Sequence, residues 1–214
     1  MTRKSPGSER KARGSILIVS APSGSGKTTL IKRLLAAAPG LQFSVSYTTR
    51  PPRHGEKDGA DYFFVSRKVF ERMIHAGEFV EWADVVGHLY GTARGQLLAA
   101  AGEGKDILLD IDVQGHRQVR EKLPEAVSIF ILPPSFQELE RRLRRRKSDS
   151  PEVIQRRLQN ARREIGHWKE YDFLVVNDKL RSATKSLRAV LEAAKARVFV
   201  QQERAQEISQ TFGG

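Results

Sequence analysis

Cysteine is absent from this chain of 214 residues, which excludes a disulfide framework, a thiolate metal site and a cysteine nucleophile. Long apolar runs are missing too: nothing approaches the roughly 18 consecutive apolar residues that a membrane-spanning helix needs. Aromatic residues are sparse, 7% of the chain within a hydrophobic share of 39%. The opening residues, Met1 to Arg10, are basic but contain no apolar stretch of the kind a secretory signal carries. A reducing cytoplasm is the compartment these absences lead one to expect. Acidic residues are in deficit, with 25 Asp and Glu against 37 Lys and Arg, a formal charge of +12. Such an excess favours polyanionic partners: nucleic acid, phosphorylated small molecules or an anionic membrane face. Charge by itself does not choose among them.

The length fits one large domain, or one compact domain with insertions, able to bury about 70% of its extended surface. Residues 1–13 read as a disordered basic arm with almost nothing to bury. Ser15 to Ser20 then reads as a short, fully buried strand of the parallel-sheet kind. A glycine-rich turn follows, and then a helix from Thr28 to Ala38, stopped by Pro39-Gly40. Apolar strand segments recur at Asp106–Asp110, Val127–Leu132 and Asp172–Val176, with helical segments between them. Ser135 and Glu138 form a capping-box pattern, and Ser150-Pro151 suits the N-cap and first residue of another helix. Lys179 to about Gln206 reads as one terminal amphipathic helix. Alternating strands and helices imply an α/β fold whose parallel sheet is covered on both faces. Two stretches interrupt it: a small β-rich insertion from 43 to about 92, and an arginine-dense segment from 136 to 168.

The sharpest chemical signal is Ala21-Pro22-Ser23-Gly24-Ser25-Gly26-Lys27-Thr28, set between the buried strand and a helix. A P-loop has this context. Backbone N–H groups and the helix N-terminus surround phosphates, a lysine reaches the β- and γ-phosphates, and a hydroxyl ligates Mg²⁺. Lys27 and Thr28 take those places, although Ala21 replaces the usual first glycine. Nucleoside triphosphate with Mg²⁺ is the ligand this predicts. Asp110, closing the strand Ile107–Leu109, stands where an acid would hold the metal through water.

From Phe43 to Phe64 the chain reads Phe-Ser-Val-Ser-Tyr-Thr-Thr-Arg-Pro-Pro-Arg-His-Gly-Glu-Lys-Asp-Gly-Ala-Asp-Tyr-Phe-Phe, and this strongly resembles guanylate kinase. The resemblance continues through Glu78-Phe-Val-Glu81-Trp, Tyr90-Gly-Thr92 and Leu109-Asp-Ile-Asp112-Val-Gln-Gly115 to Asp172-Phe-Leu-Val-Val-Asn177-Asp178. It covers about residues 14 to 200, with each segment in family order. It implies a P-loop kinase: a parallel sheet flanked by helices, with a small mixed β insertion for GMP and a helical lid. The domain would span 14–200, with a core of 14–42, 97–135 and 169–200, a GMP-binding subdomain of 43–96 and a lid of 136–168. Residues 201–214 would be a helix end and tail.

The same resemblance implies transfer of the γ-phosphoryl group of ATP to GMP, and in all expectation to dGMP, within purine nucleotide metabolism. Ser46, Arg50, Arg53 and Tyr62 would hold the GMP phosphate, a role suited to guanidinium forks and hydroxyls. Glu81 would read guanine, whose exocyclic amino group and ring N1–H both donate to a carboxylate. Asp112 would lie close to the same ligand, and Thr92 beside Tyr90 would bring a hydroxyl near the base. Asn177 would approach the adenine. Arg142, Arg146 and Arg157 fit the lid arginines and, with Lys27, would act on the transferring group.

A sugar-phosphate kinase would need no guanine-reading carboxylate. A non-catalytic guanylate-kinase-like interaction module would ordinarily lack the equivalent of Lys27. A nucleic-acid-dependent ATPase is suggested only by the charge, and no recognition motif supports it. The partners expected are therefore ATP and GMP, with neither a specific nucleic acid nor a membrane; a homodimer or higher homo-oligomer stays open.

Overall fold

A computed structural model describes residues 13–85, 87–145 and 150–212. Most of the expected basic arm, and Arg146, lie outside these described residues. Five strands form the main sheet: β1 (Ile16–Ser20), β2 (Leu41–Phe43), β7 (Asp106–Asp110), β8 (Val127–Leu132) and β9 (Phe173–Val176). Their order is β2-β7-β1-β8-β9, and every neighbouring pair is parallel. β1 is buried at every position, as a central strand with both faces covered must be.

Alternate residues of β1 serve opposite faces. Leu17 and Val19 join Leu108, Ile129, Ile131 and Val175 beneath helices α1 (Lys27–Ala37) and α7 (Leu180–Lys195). Ile16 and Ile18 join Ile107 and Leu109 beneath α3 (Arg94–Gly102) and α4 (Val113–Lys122). Each fully buried Leu or Ile in these layers contributes about 1.5–3 kcal/mol by leaving water.

The insertion is a second, four-stranded sheet in the order β4-β3-β6-β5, built from β3 (Tyr47–Thr48), β4 (Phe63–Phe64), β5 (Phe79–Val85) and β6 (His88–Ala93). It also contains a helix, α2 (Arg67–His75), which the β-rich reading of this stretch did not anticipate. Ser66 caps α2 by accepting from the Val69 N–H. Phe70 and Met73, one helical turn apart, bury against Phe79 and Leu89, and the Phe70 and Phe79 rings stack with centroids 4.4 Å apart. Aromatic density in the sequence therefore reflects a helix packed on a sheet as well as strands.

Two helices, α5 (Phe136–Arg145) and α6 (Pro151–Glu164), follow β8 and bury Leu139, Leu143, Ile154 and Leu158 against each other. A 3-10 turn at Ile165–Glu170 leads into β9. Ser135 accepts from the Glu138 N–H at 3.1 Å. The Glu138 carboxylate, however, turns to Arg141 and Arg142, so only half of the capping box forms. The terminal helix is two helices, α7 and α8 (Val198–Gln210), not one. Arg197 breaks it by taking extended backbone angles, and its guanidinium donates to the Glu125 carbonyl at 2.8 Å. Among the described residues no helix is long and apolar enough to cross a membrane.

His116 of α4 is 2% exposed and lies face to face with Tyr171, ring centroids 3.8 Å apart. Burial, aided by the nearby Arg120, pushes its pKa down to about 4. The folded state thus disfavours the protonated ring, whereas the unfolded chain takes up the proton near 6.5. Stability should therefore be complete above about pH 6.5 and fall as the pH drops towards 4, by no more than about 3 kcal/mol. Denaturant titrations at pH 7.5 and 4.5 on the wild type and on His116→Phe measure this; the variant should lose that component of the pH dependence.

Candidate active site

In a parallel sheet all strands point their C-terminal ends to one edge, and ligands bind in the crevice there. The ends of β1, β7 and β9 carry Ala21–Thr28, Asp110–Asp112 and Asn177 to that edge. Gly26 precedes α1 in a left-handed conformation, φ 87°, and a Cβ there would run into the amide of Asn177. No side chain caps α1, whereas Ser66, Asp112 and Ser150 cap α2, α4 and α6. The first N–H groups of α1 thus keep their hydrogens for an anion.

The loop is gripped from outside. Asn177, 5% exposed, donates its Nδ2 to the Ser25 carbonyl at 2.8 Å. Arg142 on α5 donates to that carbonyl at 3.4 Å and to the Asn177 carbonyl at 2.9 Å, while Glu138 accepts its Nε–H at 2.7 Å. Bonds from Arg141 first, and Arg142 second, hold the Glu138 carboxyl down at about 2. A cavity of about 500 Å³ opens here, lined by Gly24, Gly26, Arg141, Arg142, Arg145 and Asn177 among others. Lys27 meanwhile forms an ion pair with Asp110. The ammonium and the carboxylate satisfy each other.

A second cavity, of about 180 Å³, lies between the two sheets and includes Ser46, Tyr62, Glu81, Tyr90, Asp110 and Asp112 in its walls. Glu81 is 5% exposed and opposite Thr92 in the β5–β6 register; the Thr92 hydroxyl donates to its Oε1 at 2.6 Å. Burial pushes the Glu81 carboxyl up to about 7, against the Thr92 bond, and Asp112 adds to the rise. Gly115 on α4 makes room for it, since a Cβ there would stand 2.9 Å from Glu81 Oε2. Gln118, two-handed, accepts from the Trp82 N–H at 3.2 Å and donates to its carbonyl at 2.8 Å, stitching β5 to α4. Asp112 is the N-cap of α4, accepting from the Gly115 N–H at 2.8 Å, as well as part of the cavity wall.

The structure brings together most of the residues singled out from sequence. Arg50 lies beside this second cavity, its Nε bonded to the Tyr90 hydroxyl at 3.2 Å and its Nη2 to Glu56 at 2.8 Å. Arg53 sits at the surface, its backbone N–H donating to Glu56 at 2.7 Å. Arg157 is half-buried on α6. Sequence reasoning missed Glu56, Glu138 and Gln118. Of these only Glu138 had a readable signal, its spacing of three and four residues before Arg141 and Arg142.

Comparison with known proteins agrees with this arrangement. The family model described as guanylate kinase matches residues 13–194. A guanylate kinase of Neisseria meningitidis is 55% identical over 183 residues, covering 86% of this chain and 89% of the relative. One from Koribacter versatilis is 52% identical over 187 residues, covering 86% and 80%. The crystal structure of guanylate kinase from Anaplasma phagocytophilum superposes with a TM-score of 0.72 at 38% identity, covering 89% of this chain and 90% of that one. With a phosphate loop and a carboxylate-walled cavity at one sheet edge, and the family model spanning most of its length, this chain belongs to the guanylate kinase family.

Proposed function

We propose that the two cavities are the donor and acceptor halves of one phosphoryl-transfer site. The larger would take ATP on Lys27, Thr28 and the backbone of 21–26, and the smaller would take GMP. The reaction of the chain is the ATP-dependent phosphorylation of GMP to GDP. The observation that carries the assignment of the acceptor half is the buried Glu81 carboxylate on the wall of a small cavity. A buried acceptor with no donor ligand is costly, and guanine supplies two donors where adenine does not. Ser46, Arg50, Arg53, Tyr62 and Tyr90 would receive the phosphate. Thr92 would act through Glu81, since its hydroxyl hydrogen is already given to that carboxylate. The deoxy substrate dGMP fits the same reading, because none of these contacts calls on the sugar.

The GMP phosphate is ionised near neutral pH and needs no strong base to attack. One of its oxygens forms a bond to the γ-phosphorus of ATP as the bridging oxygen leaves with ADP. Catalysis is then positioning and neutralisation of charge spread over the transferring group. Lys27 would leave Asp110 for the phosphates, and Arg142, already bonded beside the loop, would face the same charge together with Arg146 and Arg157. Closure of 136–168 over the site would keep water from taking the phosphoryl group.

The Thr28 hydroxyl and the Asp110 carboxylate are hard oxygen donors at adjacent strand and helix ends, a set that suits Mg²⁺. Bound with ATP, the ion would neutralise charge on the β- and γ-phosphates. A cytoplasmic location suits these substrates.

Lys27→Ala should lower kcat by orders of magnitude and leave GMP affinity nearly unchanged; steady-state kinetics with calorimetric GMP binding on the folded variant checks this. Near-normal turnover would remove Lys27 from the donor site.

Glu81 gives a pH signature. Guanine binds the ionised carboxylate, and the free group titrates near 7. GMP affinity should therefore be flat above about pH 7 and fall below it by up to about tenfold per unit. Glu81→Gln should bind GMP on the order of 10³-fold less well and lose this slope. The slope that survives in the variant reports the phosphate's own titration. Equal slopes in both proteins would refute the assignment.

A further inference from the structure

The carboxylate of Glu56 is bonded where the acceptor site's arginines meet, and no role for it follows from base reading or from the phosphate loop. Arg50 is 9% exposed and sits over the Tyr62 and Phe64 rings at 5.5 and 5.9 Å. A cation so enclosed needs compensation. Glu56 supplies it: both carboxylate oxygens accept from Arg50 Nη2, at 2.8 and 2.9 Å. The other sides of the guanidinium are held as well, Nη1 by the Pro51 carbonyl at 2.8 Å and Nε by the Tyr90 hydroxyl at 3.2 Å. Glu56 also accepts from the backbone N–H of Arg53 at 2.7 Å. One carboxylate thus sets the side chain of the first arginine and the backbone of the second.

The bonding leaves particular donors over. A guanidinium has five N–H hydrogens; the two Glu56 oxygens share one hydrogen of Nη2, so these contacts leave one hydrogen on each of Nη1 and Nη2. The Tyr90 oxygen accepts from Arg50 Nε, so its own hydrogen can be given to another acceptor. Tyr90 also lines the 180 Å³ cavity, beside Ser46 and Tyr62. Because Arg50 is fixed on three sides, little of its side-chain freedom is left to be lost on binding.

We infer that Glu56 is a positioning residue for the GMP phosphate, acting through Arg50 to present its two remaining N–H hydrogens and the Tyr90 hydroxyl to the acceptor cavity and through the Arg53 backbone to place the second arginine. The inference rests on the reading that Arg50 and Tyr90 receive the GMP phosphate. Bonds from Arg50, and next from Arg53, lower the Glu56 pKa, so the carboxylate is ionised throughout the working range. Its negative charge stands near an incoming dianion, yet the Arg50 Nη2 edge neutralises it. The opposite role, a carboxylate that merely occupies the arginine until phosphate displaces it, predicts effects of the opposite sign.

The test compares Glu56→Ala, Glu56→Gln and Arg50→Met with the wild type, measuring melting temperature, kinetics, and binding of GMP and of guanosine. Guanosine presents the same base without a phosphate. In Glu56→Ala, KM and Kd for GMP should rise about 10- to 100-fold. Turnover at saturating GMP, KM for ATP and guanosine affinity should stay within about threefold. Glu56→Gln, which keeps the size and one acceptor, should fall between and serves alone if the alanine variant does not fold. Tighter or unchanged GMP binding in the Glu56 variants, while Arg50→Met weakens it, overturns the inference and leaves the phosphate site standing. An equal loss of guanosine and GMP binding overturns it as well, since that marks a general structural role. Unchanged GMP binding in Arg50→Met instead removes the phosphate-site reading on which the inference stands.

Discussion

Parallel pairing is the constraint on which the rest of this molecule depends. Because β7, β1, β8 and β9 all run the same way, each strand's C-terminal end arrives at one edge of the sheet. The phosphate loop, the Asp110–Asp112 corner and Asn177 meet there although Ser25 and Asn177, bonded to each other, are 152 residues apart in the chain. The buried strands supply the rigidity: Leu17, Ile18 and Val19 are wholly inaccessible, so the loop that follows them starts from a fixed point.

Charge around the two cavities is handled by local pairing. Lys27 rests on Asp110, Arg142 on Glu138 and Arg50 on Glu56. Each pair keeps a cation in the place where a phosphate group would otherwise be needed to stabilise it. The arginine density of 136–168 would on its own imply repulsion between neighbouring guanidiniums. Glu138 and Glu140 relieve it on α5, since each stands three or four residues before its arginine and so shares its face. Exposed pairs of this kind contribute little to stability; their consequence lies in where they hold the arginines.

The two halves of the site are built on different mechanical footings. The donor half belongs to the main sheet and is clamped by Asn177 and Arg142 on the Ser25 carbonyl. The acceptor half hangs on a small sheet joined to the core chiefly where α4 meets β5. Gly115 and Gln118 of α4 bring Glu81 up to the ends of β7 without covalent continuity.

Much of this was readable beforehand, and for reasons that can be named. β7 and β8 were legible to the residue because buried parallel strands are unbroken apolar runs, and the phosphate loop because glycine, lysine and hydroxyl spacing is dictated by the ligand. The break at Arg197 was not legible, since the sequence there contains no proline or glycine and a tertiary bond to the Glu125 carbonyl holds it. The helix α2 was obscured because Phe70 and Met73 serve a sheet whose strands carry aromatics of their own. The sequence by itself thus determined the α/β class and the family, because local spacing and residue chemistry carry those. Only the tertiary structure decided that Glu56 and Glu138 stand on arginines of the two cavities, that Asp112 caps a helix as well as lining a cavity, and that Glu81 is buried deeply enough to titrate near 7. Those properties arise from contacts between segments far apart in the chain and from the exclusion of water between them, neither of which a local pattern encodes.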